Sequence, residues 1–245
     1  RVQAQCTLAC FYTHLDQPQH QCLDILIDSY DLGMRVGETH YALLSALAYV
    51  SNYTYIGLPF GPVVADIRGF DENFKQYGQT LLSHNLGCHH QYSLNMMGEA
   101  SNPAILDGDA LNSSQLLSKA NKMSTQVYYD CSLILAILFG SPSEGAQFAN
   151  LVCSMHDVDG TGFYAPFVRM LVGIAYLRMA RHTGHHRRYV RNMKRRCFRF
   201  FKFWMKHNVF NVQHKYLLLQ AELLTVDRHV DVDRARQMYS KAIVV

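Results

Sequence analysis

The sequence predicts an all-α fold: an α-solenoid of about five or six antiparallel helix pairs with irregular repeat lengths, spanning residues 1–245 as a single domain. Three observations lead there. Apolar residues recur at spacings of three and four along most of the chain, and no stretch alternates with period two for long enough to make a strand. With only 6 Pro and 15 Gly among 245 residues there is room for long helices. Several segments are apolar on two sides, which suits helices packed between neighbours rather than resting on one core.

Taken in order, residues 2–14 read as the second half of a helix pair. Asp16-Gln-Pro18 restarts the chain, and Cys22, Ile25, Leu26, Ser29, Leu32 and Val36 carry the next helix to Gly37. From Thr39 a line through Leu43, Ala46, Leu47 and Val50 forms another helix, ended by Gly57-Leu-Pro59. Residues 62–76 are more weakly amphipathic, and 78–97 read as a helix ending at Gly98. Glu99 to Asp109 is rich in turn residues and reads as a loop. Asn112 or Ser113 opens a further helix, 125–139 is strongly apolar, and Pro142 begins its partner. Residues 162–181 are apolar nearly all round, as a central helix would be, and 185–207 are amphipathic and basic.

The last pair is the most regular. Val212, Tyr216, Leu219, Leu223 and Val226 step by four and three along one face, with Leu217, Ala221 and Leu224 beside them. After the turn at 228–231, Asp231 or Asp233 can cap a helix in which Ala235, Met238, Tyr239 and Ala242 share a face. Ala221, Ala235, Tyr239 and Ala242 are expected to set this last crossing. Trp204, His214 and Tyr216 are expected to fix the bend into it.

Composition narrows the function classes. Apolar residues make up 49% and charged residues 17%, a globular balance. No apolar run approaches 18 residues, so no membrane span is expected. Seven cysteines without a Cys-x-x-Cys, mostly within apolar helical patterns, read as free thiols in a reducing, cytoplasmic (intracellular) setting. The start at Arg1 and the end at Val245 in mid-helix suggest a segment of a larger protein.

No catalytic constellation emerges: there is no glycine-rich phosphate loop, no Gly-x-Ser-x-Gly and no paired carboxylates. Asp157-Val-Asp-Gly-Thr-Gly162 has the look of a calcium loop, yet Val168 stands where the closing Glu would be. The adjacent His89-His90 and His185-His186 point about 100° apart on a helix, which suits joint ligation poorly. Catalytic, cofactor and metal sites are therefore all read as none.

The sharpest feature is basic. Residues 178–206 hold 11 of the 23 Lys and Arg and no acid, so the formal charge of the remainder falls from +4 to −7 (4 − 11). The apolar residues between them, Met193, Cys197, Phe200, Phe201 and Trp204 among others, form a core stripe. Arg191, Arg195 and Lys202 are expected to form an exposed basic surface. It would be a solvated face, a dock for an acidic partner or, as the alternative, a surface for nucleic acid or anionic lipid.

Several local motifs resemble one family. They are Gln91-Tyr-Ser-Leu-Asn-Met-Met-Gly98 followed by Asn102-Pro-Ala-Ile-Leu-Asp-Gly-Asp109, Leu138-Phe-Gly140 with Ala146, and Phe203-Trp-Met-Lys206 followed by Asn211-x-x-His-Lys-Tyr216. In order and spacing they resemble the tetratricopeptide-like region of large multidomain STAND/AAA ATPase signalling proteins, of multi-sensor multikinase or hybrid histidine kinase type. The small residues of the last pair fit that pattern loosely, its turn being longer. No kinase, Walker or sensor segment is present, so the resemblance transfers no enzymology to any residue. It implies a non-catalytic scaffold or regulatory segment whose partners are neighbouring domains of the same polypeptide or another signalling protein.

Overall fold

The structure is a computed structural model that describes residues 1–119, 121–155, 162–206, 210–226 and 231–244. Among these the chain is helical, its β contact being an isolated bridge between Gly108 and Leu111. Helix α1 (Val2–Leu8) runs through a π-helical turn, Ala9–Thr13, into the short α2 (His14–Asp16). A 3-10 turn leads to α3 (Cys22–Val36), followed by α4 (Thr39–Tyr55), α5 (Phe60–Gln76) and α6 (Thr80–Met97). The middle holds α7 (Ser113–Lys119), α8 (Lys122–Leu138), α9 (Pro142–Met155) and α10 (Ala165–Thr183). Last come α11 (His186–Met193), a second π turn (Lys194–Phe198), α12 (Arg199–Trp204), α13 (Gln213–Leu224) and α14 (Val232–Val244).

Local chemistry sets many of these limits. Gly98 and Gly184 close α6 and α10 with φ of 80° and 68°, the left-handed ending that glycine adopts without a Cβ clash. Pro142 and Pro166 stand in first turns, where the missing N–H costs nothing. Asp231 Oδ1 accepts from Arg234 N at 3.0 Å, so Asp231 rather than Asp233 caps α14.

Three elements differ from the sequence expectation. Residues 62–76 belong to a full helix from Phe60, with Val63, Val64, Ile67, Phe70 and Phe74 buried. The helix opened at Ser113 stops at Lys119, and α8 starts afresh because the Asn121 side chain accepts from Ser124 N at 2.9 Å. The basic stretch is two helices joined through the π turn, not one.

Consecutive helices pack on one another: α3 on α4, α5 on α6, α8 on α9, α10 on α9 and α11, and α13 on α14. A second set of contacts, α4 to α6, α6 to α8, α8 to α10 and α10 to α13, makes a continuous inner row. Two crossings are tight because they use glycine. A Cβ on Gly33 of α3 would lie 2.8 Å from the Ala42 Cβ of α4, and one on Gly173 of α10 would lie 2.6 Å from Leu219 Cδ2 of α13.

The loop after α6 is held from below by side chains of that helix. Asn95 Nδ2 donates to Ile105 O at 2.7 Å and Pro103 O at 3.2 Å, while Gln91 Oε1 accepts from Ala110 N at 2.9 Å. Gly108 is required there, since a Cβ would sit 2.8 Å from Gln91 Nε2. The spacing of Gln91, Asn95 and Asn102–Asp109 thus encodes a braced loop anchored by the buried Leu106.

The N-terminal segment meets the stretch that leads into α13. Asn211 Nδ2 donates to His14 O and Gln17 O, each at 2.8 Å, and its Oδ1 accepts from Gln19 N at 3.1 Å. His14 also stacks on Trp204, with ring centroids 6.2 Å apart. Tyr55, at the end of α4, packs on Phe167 of α10 at 5.4 Å. In a simple stack, where each pair touches only the next, residue 211 would not reach residue 14.

Candidate functional site

Of the residues expected to set the last crossing, Ala221 lies on α13, and Ala235, Tyr239 and Ala242 lie on α14. Ala221 is fully buried, Ala235 is 4% exposed, and Tyr239 and Ala242 are half-buried. Tyr239 Oη donates to Glu222 Oε1 at 2.7 Å, and burial followed by this carboxylate pushes its phenol up to about 12. Arg181 of α10 forms an ion pair with Glu222 and bonds Thr225 Oγ1 at 2.5 Å, so one polar cluster ties α10, α13 and α14 together.

Aromatic side chains meet at the bend into α13. Tyr216 stacks on Phe201 at 5.9 Å and meets Phe198 edge-on at 5.3 Å, while Trp204 packs on Phe200 at 5.7 Å. His214 contributes differently, its Nε2 lying 3.0 Å from Lys215 Nζ. Lys215 is 9% exposed and donates to Asn211 O at 2.7 Å. Burial pulls its ammonium down to about 8, and burial together with that neighbouring charge pulls His214 down to about 4.

The structure divides the basic residues into two groups. Arg178, Arg181 and Arg196 bind other helices: Arg178 donates to Ile137 O, Arg181 pairs with Glu222, and Arg196 lies beside Cys153. Arg187, Arg188, Arg191, Lys194, Arg195, Arg199, Lys202 and Lys206 are exposed, opposite the buried Met193, Cys197, Phe200, Phe201 and Trp204. Among the described residues the ion pairs are Lys75–Asp71 and Arg181–Glu222, so none of those eight is in one.

Between this face and α13 run two adjoining depressions that share Lys194 and Leu223. The first, about 590 Å³, has Phe198, Arg199, Lys202 and Tyr216 as its other walls. The second, about 830 Å³, is lined by residues that include His185, His186, Arg187, Arg188 and Val226. Of the three residues singled out from sequence, Lys202 lines this groove, while Arg191 and Arg195 stand on the exposed face away from its walls.

Sequence reasoning missed a pocket, partly open to solvent, near the centre. Residues of α4, α6 and α8, with α1, its π turn and residues 162–164, surround a cavity of about 290 Å³. Phe11, Leu44, Leu47, Val127 and Phe163 supply apolar wall, and Asn85, His89 and Asp130 bring buried polar groups to it. His89 Nε2 lies 2.8 Å from Ser51 Oγ, whose hydroxyl donates to Leu47 O at 2.9 Å, so the ring nitrogen is the donor to Ser51. Burial pulls His89 down to about 4, leaving it neutral at physiological pH. Asn85 is 1% exposed, and its Oδ1 has no hydrogen-bond partner among the described residues. On the cavity's α1 side, the Cys10 thiol hydrogen-bonds Cys6, drawing Cys6 down to about 7 and pushing Cys10 up. The signal that could have found the site is a polar pair four residues apart, Asn85 and His89, inside an otherwise apolar helix.

Among the described residues no group of three or more His, Cys, Asp or Glu could hold a metal ion, and no helix is long and apolar enough to cross a membrane. Residues 157–161 of the calcium-like loop lie outside the described residues. No protein-family model, curated protein or solved structure matches this chain.

Proposed function

We propose that the chain is a non-catalytic helical scaffold, a regulatory segment of an intracellular signal-transduction ATPase or kinase. In this reading its helix pairs stack as an α-solenoid and its basic groove docks an acidic protein segment. The observation that carries the docking role is the groove itself. Lys194, Arg199 and Lys202 border it, Phe198, Tyr216 and Leu223 form its apolar walls, and these cations make no ion pair among the described residues. An acidic segment with an aromatic or aliphatic anchor complements both features. The inner row of helices supports the stacked reading, with the stack curving back so that Asn211 reaches His14, and the motifs at Gln91–Asp109 and Asn211–Tyr216 support the resemblance to signalling ATPases. Seven free cysteines, with Cys6 and Cys10 side by side, favour a reducing compartment. A protein partner is preferred to nucleic acid because Phe198, Tyr216, Phe201 and Trp204 are spent on packing with one another or their neighbours rather than standing free to stack on bases.

The test is a fluorescence titration of the 245-residue chain with a labelled acidic peptide containing Tyr and Phe. Matched DNA, RNA and anionic vesicles are titrated beside it across a salt series. The reading expects affinity on the order of micromolar for the peptide, lost when Lys194, Arg199 and Lys202 become Glu. Changing Arg191 and Arg195, which lie off the groove, should have a weaker effect. Tighter binding to nucleic acid, with a steep salt dependence, would replace this reading with a nucleic-acid one.

A further inference from the structure

The two depressions of the basic groove differ in what they offer a partner. The first sets Arg199 and Lys202 beside the aromatic walls Phe198 and Tyr216. The second holds no Phe, Tyr or Trp among its described lining residues; it gathers Arg187, Arg188 and Lys194 with His185 and His186. We propose that this second depression receives a phosphoryl group, so that the partner of the groove is a protein segment phosphorylated on Ser or Thr whose aromatic anchor sits in the first. This rests on the docking reading above and adds the modification that the partner carries.

Two observations favour a phosphoryl group over a carboxylate, and a third sets where it lies in the partner. Arg187, Arg188 and Lys194 are exposed, and among the described residues none of them is in an ion pair and no Asp or Glu lines either depression. Glu222, next to Leu223 in α13, is already held by Arg181 and Tyr239. Like charges gathered around one hollow repel one another. A phosphate monoester brings roughly −1.5 to −2 charge and three acceptor oxygens, where a carboxylate brings a single charge and two oxygens. The second observation is the pair of guanidinium groups, whose planar forks donate parallel N–H bonds to phosphate oxygens. The Arg188 guanidinium lies over the Tyr189 ring, 5.8 Å from its centroid, a contact made through its face that leaves the N–H edge open. The third is spacing. Along α11 and the π turn, Arg187 and Phe198 are separated by about 17 Å at about 1.5 Å per residue, a distance that about five residues of extended chain cover. One short segment can therefore fill both depressions, with the shared Lys194 between them.

Fluorescence anisotropy of the 245-residue chain with labelled peptides tests this. The probes are an acidic peptide with phosphoserine about five residues from Phe, made in both chain orders, its unphosphorylated twin, and a version with Glu for the phosphoserine. In one of the two orders the phosphopeptide should bind at least roughly tenfold more tightly than the twin or the Glu version. Arg187→Lys combined with Arg188→Lys keeps the charge and removes the forks; it should erase most of that preference and leave the twin's affinity within about twofold. Lys202→Glu should weaken both forms alike, and Arg191→Ala, off the groove, should leave the preference unchanged; circular dichroism establishes that each variant folds. Moving Phe next to the phosphoserine, too close to reach the first depression, should cost roughly tenfold. Equal affinity of the phosphopeptide and its twin overturns the phosphoryl site and leaves the docking reading standing, whereas no binding of any peptide overturns both. The site is also overturned if the paired Arg→Lys variant keeps the full preference, if inorganic phosphate competes as tightly as the phosphopeptide binds, or if single-stranded DNA of equal charge binds more tightly.

Discussion

Lys215 offers the most direct check on the closure of the fold, because its charge is buried beside the junction of Asn211 with the N-terminal segment. The side chain is 9% exposed, donates to Asn211 O at 2.7 Å, and so supports the residue that bonds His14, Gln17 and Gln19. Burial lowers the folded pKa from 10.5 to about 8, which at about 1.4 kcal/mol per pH unit makes the buried charge cost ~3 kcal/mol below pH 8. The sign follows from proton counting. Between about pH 8 and the unfolded value of 10.5 the unfolded chain binds more protons than the folded one, so this contribution to stability rises with pH. Lys215→Met removes the titration and the bond to Asn211, whose loss costs about 1 kcal/mol. The variant should therefore be more stable by about 2 kcal/mol near neutrality. Its advantage should shrink, then reverse, as the pH approaches about 10. Urea unfolding followed by Trp204 fluorescence, repeated from about pH 7 to about pH 10, measures this difference. Trp204 is 4% exposed and stacked on His14, so its emission reports the same junction. A stability difference that stays constant across that range would refute a buried, titrating ammonium at 215.

Asn211→Ala removes the bonds to His14, Gln17 and Gln19, and should cost about 2–3 kcal/mol. Hydrogen exchange should quicken across residues 2–21 more than in α8 and α9; uniform exchange would show that the junction does not hold the N-terminal segment. Gly173→Ala places a Cβ 2.6 Å from Leu219 Cδ2 and should cost about 1–3 kcal/mol by chemical denaturation, with part recovered by a second change, Leu219→Val. Ala235→Trp puts an indole where a side chain 4% exposed faces α13, and should lower the unfolding midpoint. An unchanged midpoint would count against the register of the last pair.

Helix existence was legible because each helix writes its own period. The line from Val212 to Val226 and the cap at Asp231 needed no information from elsewhere in the chain, and α13 and α14 form where that pattern places them. Segment breaks were less legible. The break at Asn121 rests on one side-chain bond to Ser124 N, and asparagine occurs in many turns that start no helix. The π turn at Lys194–Phe198 leaves the heptad-like stripe of Met193, Cys197 and Phe200 nearly intact, so the sequence pattern passes smoothly over it.

The candidate surfaces were unevenly legible for a related reason. Periodicity says which side of a helix faces inward, and the basic stretch carried that information for every residue, so Arg191, Arg195 and Lys202 emerge exposed. It does not say which inward or outward sides meet. The groove depends on Tyr216 and Leu223 of α13 lying against Lys194, Arg199 and Lys202, a meeting set by the Gly173–Leu219 crossing and the Arg181–Glu222 pair, not by any local pattern. The cavity is a stronger case, because its wall comes from well-separated parts of the chain, and in each of them the residues read as ordinary core. Asn85 and His89 were the exception. Two polar residues one turn apart on a buried stripe must either bond each other, bond a neighbour, or wait for a partner. His89 bonds Ser51, whereas Asn85 Oδ1 is buried without a hydrogen-bond partner among the described residues, so the pair marks a polar spot in the core rather than a bonded pair.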